Sequence, residues 1–290
     1  MPNVTVTTAA TFIDEVWDPE LNRAVEFDLV IADLFSDLTS KMRGHGDIFH
    51  RVDRHNLTAN TKSASTDATP EAITEGEQTF TVNTHQITAQ QIEDIAEVLS
   101  RYDIRAEYTS AASYALARAM DVACAALLDD NTTQTVGTLA AEVADDDLIQ
   151  AWRLLRDSAA RPPFKGVVSP ACWAGLLKIE RFTNQLYNGD TTGRAIHEAQ
   201  IGKVYQAMFY QSQLTVGTAP SASGHMWSGD HFFKIIKKAP KQDALFMPLA
   251  KSWVVATDQI YGVFENQEAD EAAAVTTRAR LHGVRIQTLK

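Results

Sequence analysis

Apolar positions along the chain fall into helical and strand-like stretches. From Thr11 to Leu38 they recur every three to five residues, at Phe12, Val16, Leu21, Val25, Leu29 and Leu34, which predicts helix. Within it, Asp18-Pro19-Glu20 supplies an N-cap, a proline at the first position and an acid behind it. The first ten residues are polar and β-prone, and are expected to form an arm. Between Arg43 and Gly76 large apolar residues become scarce, while Thr, Ser, Asn and Asp accumulate. A stretch of that length without core residues is expected to be a linker or a two-stranded flap that finds its partner on another molecule. The alternation Ile48-Phe49-His50-Arg51-Val52 favours strands. Residues Gln78 to Ile92 alternate again around Phe80 and Val82, predicting one long half-buried strand, and a short helix follows through Ile95, Val98 and Leu99.

Residues 106–130 read AEYTSAASYALARAMDVACAALLDD, in which nine of the 25 positions are Ala and none is Gly or Pro. This predicts an unbroken rod starting near Asp103, whose carboxylate can cap it. Its apolar file runs Ile104, Tyr108, Ala112, Ala115 or Leu116, Ala119 or Met120, Ala123 and Leu127. Side chains this small let a sheet lie close to the helix axis. A rod laid on a long sheet makes a flat plate, and flat plates tile.

A second unit follows. An acid-capped amphipathic helix runs from Asp147, Pro162-Pro163 stops it, and FKGVVS is a short buried strand before a helix opened by Pro170. Further strands near Gly202–Leu214 and Phe232–Lys237 extend a mixed α/β lobe, with the Gly- and Thr-rich loop NGDTTGRA between its elements. The tail returns to strands, SWVVATDQIYGVFEN and AAVTTRARLHGVRIQTL, joined by the acidic turn Gln267–Glu271. This hairpin is expected to pair with Gln78–Ile92, which makes one domain discontinuous with the lobe inserted into it.

Charge narrows the function. Acids outnumber bases 37 to 26, a net charge of −11, which argues against nucleic-acid binding through the bulk field. Lys234, Lys237, Lys238 and Lys241 form the only basic cluster and are expected to be a solvated face. The start lacks a basic region followed by an apolar run, so no secretory signal is expected, and no segment is expected to span a membrane. Cys124 and Cys172 are expected to be buried free thiols.

No catalytic, metal or cofactor signature stands out, and no catalytic, cofactor-binding or metal residues are expected. Ser169 lies between a strand and a helix, but Pro170 removes the N–H an oxyanion would need. His45, His50 and His55 are spaced by five, a poor metal pattern, and Asp145-Asp146-Asp147 suits a helix cap.

In its order of elements the chain resembles the tailed-bacteriophage major capsid proteins of the Hong Kong 97 fold. The resemblance rests on an arm, a flap opened by Gly46-Asp47, the Ala-rich rod ending in Asp121…Leu127-Leu128, VVSP at Val167–Pro170, RFTNQLYNGD, IGKVYQAMFYQS and QIYGVFEN. Where many relatives carry a second Gly after the IGKVY-like stretch, this chain has Gln206-Ala207.

The resemblance implies an α+β capsid fold. Residues 1–42 would be an N-terminal arm and first helix, and 43–76 an extended loop lying over an adjacent subunit. Residues 77–135 with 248–290 would be a peripheral domain with its spine helix at about 103–130, and 136–247 an inserted axial domain. It also implies a non-enzymatic protein whose identical copies form pentamers and hexamers of an icosahedral shell around double-stranded DNA. The virion would assemble in the host bacterial cytoplasm with a separate scaffolding protein, a portal and a possible decoration protein, and without a membrane or cofactor. Arg51, Arg54 and Lys62 on the flap, and Arg278, Arg280 and Arg285 on the tail, are candidate inter-subunit partners of Glu268, Asp270 and Glu271. A cellular nanocompartment shell of the same fold is the alternative, and an α/β enzyme a more distant one.

Overall fold

The computed structural model describes residues 26–289, apart from 43, 45, 54–56, 58, 69, 71–75, 101–102, 132, 139–140, 184–202, 216–220, 270–277 and 280. Most of the predicted first helix therefore lies outside the described residues. Within the described part the expectation is corrected: residues 26–30 are not helical, and only a single turn, α1 (Ile31–Leu34), forms before Phe35 becomes extended, with φ −71° and ψ 145°. Strand β1 (Ser36–Asp37) follows, then a 3-10 turn (Thr39–Met42).

The flap is real. Strands β2 (Ile48–Asp53) and β3 (Gly76–Thr81) pair antiparallel over their whole length, with Phe49 opposite Phe80. The long strand expected over 78–92 is in fact two. It breaks after Thr81, and β4 (Thr84–Glu93) belongs to a different sheet. Helix α2 (Asp94–Leu99) is the short helix anticipated from Ile95, Val98 and Leu99.

Helix α3 (Ile104–Asp130) is the rod, 27 residues and about 40 Å long. The Asp103 side chain accepts a hydrogen bond from the Ala106 N–H at 3.1 Å, the expected cap. In length and composition this helix is apolar enough to cross a membrane, contrary to the expectation that no segment would be. It lies instead along the four-stranded sheet. Gln259 Nε2 donates to the Leu116 carbonyl at 2.9 Å, and Gln90 Nε2 to that of Tyr108 at 3.1 Å. The buried file starts as predicted, with Ala112 and Leu116, but then turns to Asp121, Cys124, Ala125 and Leu128, because α1 packs against this end. Ala123 and Leu127 are only half-buried and Tyr108 is exposed.

The lobe contains β5 (Thr135–Gly137), α4 (Asp145–Asp157), β6 (Phe164–Val168), α5 (Pro170–Lys178), α6 (Glu180–Thr183), β7 (Ala207–Gln211) and β8 (Ser221–Ser228). At the start of α4 the Asp147 carboxylate accepts from the Ala144 N–H at 2.9 Å. Ser169 caps α5, its hydroxyl accepting from Cys172 N–H at 3.2 Å, which accounts for its place between strand and helix. The chain ends with β9 (Phe232–Met247), β10 (Ser252–Glu265), β11 (Glu268–Ala269), β12 (Arg278–Ala279) and β13 (Gly283–Leu289).

Two sheets carry the body, in the orders β1-β9-β10-β4 and β5-β13-β8-β6-β7. The expected pairing of the tail with the distant strand holds for β10, which runs antiparallel to β4 from Ser252–Glu93 to Tyr261–Thr84. It fails for β13. Beyond the two-residue ladder β11–β12, the second tail segment leaves the first and inserts between β5 and β8. Val284 and Ile286 are thereby buried in the lobe core with Leu148, Leu155, Phe164 and Met226. Conversely, β9 pairs with β10 and β1, so Phe232–Lys237 does not extend the lobe as expected but belongs to the four-stranded sheet. Register in β9 slips around Ala239-Pro240, between the pairs Asp258–Lys241 and Ile260–Lys238, where Pro240 has no N–H to give the ladder.

The position of the missing glycine is a tight turn. Val204 and Ala207 exchange both backbone hydrogen bonds, at 3.0 and 2.8 Å, around Tyr205 and Gln206. Both central residues have positive φ, 46° and 64°. Such two-residue turns favour Asn-Gly, since a side chain in the left-handed region costs about 1–2 kcal/mol. Gln206→Gly is therefore expected to raise stability by about 1 kcal/mol, read as a higher urea midpoint of the unassembled chain.

Candidate functional site

The surfaces that matter are those the chain leaves uncovered. Strands β2 and β3 pair with each other and with no other strand among the described residues. They are fastened near their Asp47–Val82 end. Val82 N–H donates to the Asp47 carbonyl at 2.8 Å, and Phe80 packs edge-on against Phe233 with centroids 5.0 Å apart. Ile48 at the root, and Val52 and Leu57 farther out, are exposed. Of the flap cations, Lys62 is exposed, Arg51 is half-buried near the root, and Arg54 lies outside the described residues. His50 Nδ1 sits 3.4 Å from Glu77 Oε2 on the surface; His45 and His55 are not described.

The acidic turn begins beside the flap root of its own chain. Gln267 N–H donates to Gln78 Oε1 at 3.2 Å, and Gln78 Nε2 returns a bond to the Gln267 carbonyl. Glu268 pairs through its backbone with Ala279, and Ala269 with Arg278, while Asp270, Glu271 and Arg280 fall outside the described residues. Arg285 is half-buried on β13, where Nη1 donates to the Asp129 carbonyl at 3.4 Å.

Only Lys241 of the lysine cluster is exposed as expected; Lys234 is buried and Lys237 and Lys238 are half-buried. Lys234 is buried 3.5 Å from Asp33, Lys237 donates to the Gly44 carbonyl at 2.5 Å, Lys238 reaches both Asp258 oxygens at 2.6 and 2.5 Å, and Lys241 pairs with Asp243 at 2.9 Å. These cations tie the 3-10 turn and β10 to β9. The ammonium of Lys238, with His85 beyond it, holds the Asp258 carboxyl below its usual value.

A surface that sequence reasoning missed lies at the far end of the four-stranded sheet. Asp94 N–H donates to the Lys251 carbonyl at 3.0 Å, which sets α2 beside the β9–β10 hairpin tip. Ile95, Val98 and Leu99 on the helix, and Leu245, Met247 and Leu249 on the hairpin, are all exposed. The available signal was length, because a six-residue helix cannot bury an apolar face by itself.

Buried ionisable groups sit where the sheets meet. His225 Nε2 lies 3.0 Å from Asp129 Oδ1 at the end of α3. Burial lowers its pKa despite that carboxylate, so the ring is neutral near pH 7. His231 Nε2 lies 2.9 Å from Glu265 Oε1, both buried. The two cysteines are buried and free, as expected, with burial pushing Cys172 up to about 12 and Cys124 higher still.

A rod on a sheet, a second lobe and a projecting flap have a known family match. The model for "Phage capsid protein" matches residues 76–241, more than half of the chain. The chain belongs to the phage capsid protein family. Solved structures agree on the fold. One from Mycobacterium phage Che8 superimposes with a TM-score of 0.79 at 19% identity, covering 95% of this chain and 97% of that one. The head structure of Helicobacter pylori bacteriophage KHP40 gives 0.78 at 10% identity, covering 100% and 99%. A capsid structure of the cyanophage P-SCSP1u gives 0.75 at 15%, covering 100% and 97%. No curated protein matches the chain by sequence. The capsid is thus a Hong Kong 97-like α+β plate with a structural role, and these matches do not favour the nanocompartment alternative.

Proposed function

We propose that identical copies of this capsid protein form pentamers and hexamers, which close into an icosahedral shell around packaged double-stranded DNA. The supporting observation is the flap. It is a two-stranded ribbon fastened at its root, with exposed apolar residues and no other strand beside it among the described residues. An isolated ribbon is marginal in water, so a neighbouring copy is its natural support. Head-to-tail contacts that close on rotation build rings, and a plate is the shape such rings need. Arg51, Arg54 and Lys62 of one copy face Glu268, Asp270 and Glu271 of the next in this proposal, with Arg278 and Arg280 as further candidates. A separate scaffolding protein guides curvature, a portal admits the DNA, and a decoration protein is optional. Assembly takes place in the host bacterial cytoplasm.

Electron microscopy of the chain co-expressed with its scaffold tests this. Closed, uniform particles are expected from the native chain, and only small soluble species once residues 54–75 are replaced by a short Gly-Ser linker. Shells of normal size from that variant would remove the flap from the proposal.

A further inference from the structure

A cavity of about 360 Å³ opens at the flap root, lined by Arg51 from β2, Arg161 from the turn after α4, Asp230, His231, Asn266 and His282. Three parts of the chain, the flap, the lobe and the end of the four-stranded sheet, all contribute to its walls. The arginines distinguish it. Elsewhere Arg105 and Arg118 stack on aromatic rings, Arg153 and Arg181 pair with carboxylates, and Arg156 and Arg285 hold backbone carbonyls. Arg51 and Arg161 have no ion pair or side-chain hydrogen bond among the described residues, and both face this one cavity. Its wall carboxylate, Asp230, is exposed and accepts from the Ser36 hydroxyl at 3.4 Å. His282 Nε2 already donates to the Ser158 carbonyl at 2.8 Å, which fixes that ring in the wall.

We infer that this cavity is an oxyanion site, filled in the shell by a carboxylate from a neighbouring copy of the chain. Two guanidiniums in a concave wall suit the forked geometry of a carboxylate or phosphate. The source follows from charge. Each copy carries a net −11, so copies repel unless their seams hold cations, and acids are the side chains each copy has in excess. The inference rests on the assembly proposed above and adds a specific receiving site that includes Arg161.

Inorganic phosphate serves as the probe. In phosphate-free buffer the unassembled R51A/R161A double variant should melt like the native chain. Millimolar phosphate should raise the melting temperature of the native chain, with binding at least about tenfold weaker in the double variant, a loss of about 1.4 kcal/mol. Native shells should not respond to phosphate, and double-variant shells should dissociate at lower denaturant. R51K/R161K, which keeps charge but loses the fork, should fall between. Absence of an arginine-dependent phosphate response, or double-variant shells as stable as native ones, would overturn the inference while leaving assembly intact. An equal phosphate response in shells and in free chain would overturn the neighbouring carboxylate. Failure of the native chain to form shells would instead count against the assembly reading, and the phosphate titration would still decide the oxyanion site.

Discussion

Asp121→Ala is expected to destabilise the unassembled chain by about 3 kcal/mol, measured as a fall in the urea midpoint. Asp121 is buried in the middle of the spine helix, and its Oδ1 accepts the Ala32 N–H at 2.6 Å. The N–H groups of Ile31 and Val30 also favour its charge. It thus caps a one-turn helix that has no cap of its own. Alanine would leave those donors buried without an acceptor, whereas Asp121→Asn keeps an acceptor and should cost less than about 1 kcal/mol. The pH dependence separates the two effects. Burial raises the Asp121 pKa above 3.8, outweighing the backbone N–H groups. Between the unfolded value and that raised value the folded chain holds more protons, so this group's contribution falls as pH rises through the window. The asparagine variant lacks that term, so it should compare best with the native chain at neutral pH and worst near pH 4.

Trp227→Ala is expected to cost about 4 kcal/mol, and to separate one cooperative transition into two. Trp227 is fully buried on β8, edge-on to Phe35 at 6.1 Å and to Phe232 at 5.7 Å. Those partners come from the segment before β1 and from the first residue of β9, so one indole links the two sheets with α3 through Leu128. Circular dichroism should show a single urea transition in the native chain and two in the variant. Trp227→Phe, which keeps part of the apolar contact, should stay single and lose about 1–2 kcal/mol.

Local pattern disclosed local structure. The rod was legible from its alanines and from Asp103, the flap from residues 43–76 and the alternation at Ile48–Val52, and α5 from Pro170. What stayed hidden depends on partners remote in sequence. Asn83 is the one local turn signal in 78–92, and the strand breaks beside it because Phe80 is needed by the flap root and Ile92 by the four-stranded sheet. Lys234, Lys237 and Lys238 look solvated until Asp33, Gly44 and Asp258 fold beside them. Among the candidate contact residues, Arg51 was legible as a flap cation, but Arg161 was not, because it shares a wall with Arg51 only in three dimensions. The turn at Tyr205-Gln206 shows that a turn can form without the residues that favour it where the strand after it is held, as β7 is by β6.

Strand β13 lies between β5 and β8, although residues 283–289 follow β6 by more than a hundred positions. During synthesis the lobe can therefore gather its earlier strands but cannot close, and β5 has no strand beside it until Gly283–Leu289 leaves the ribosome. A chain interrupted before that point leaves β5 and β8 with raw edges and lacks Val284 and Ile286 from the lobe core. Such fragments are prey for proteases and chaperones. Closure of the lobe thus waits on Gly283–Leu289, the strand that joins β5 to β8.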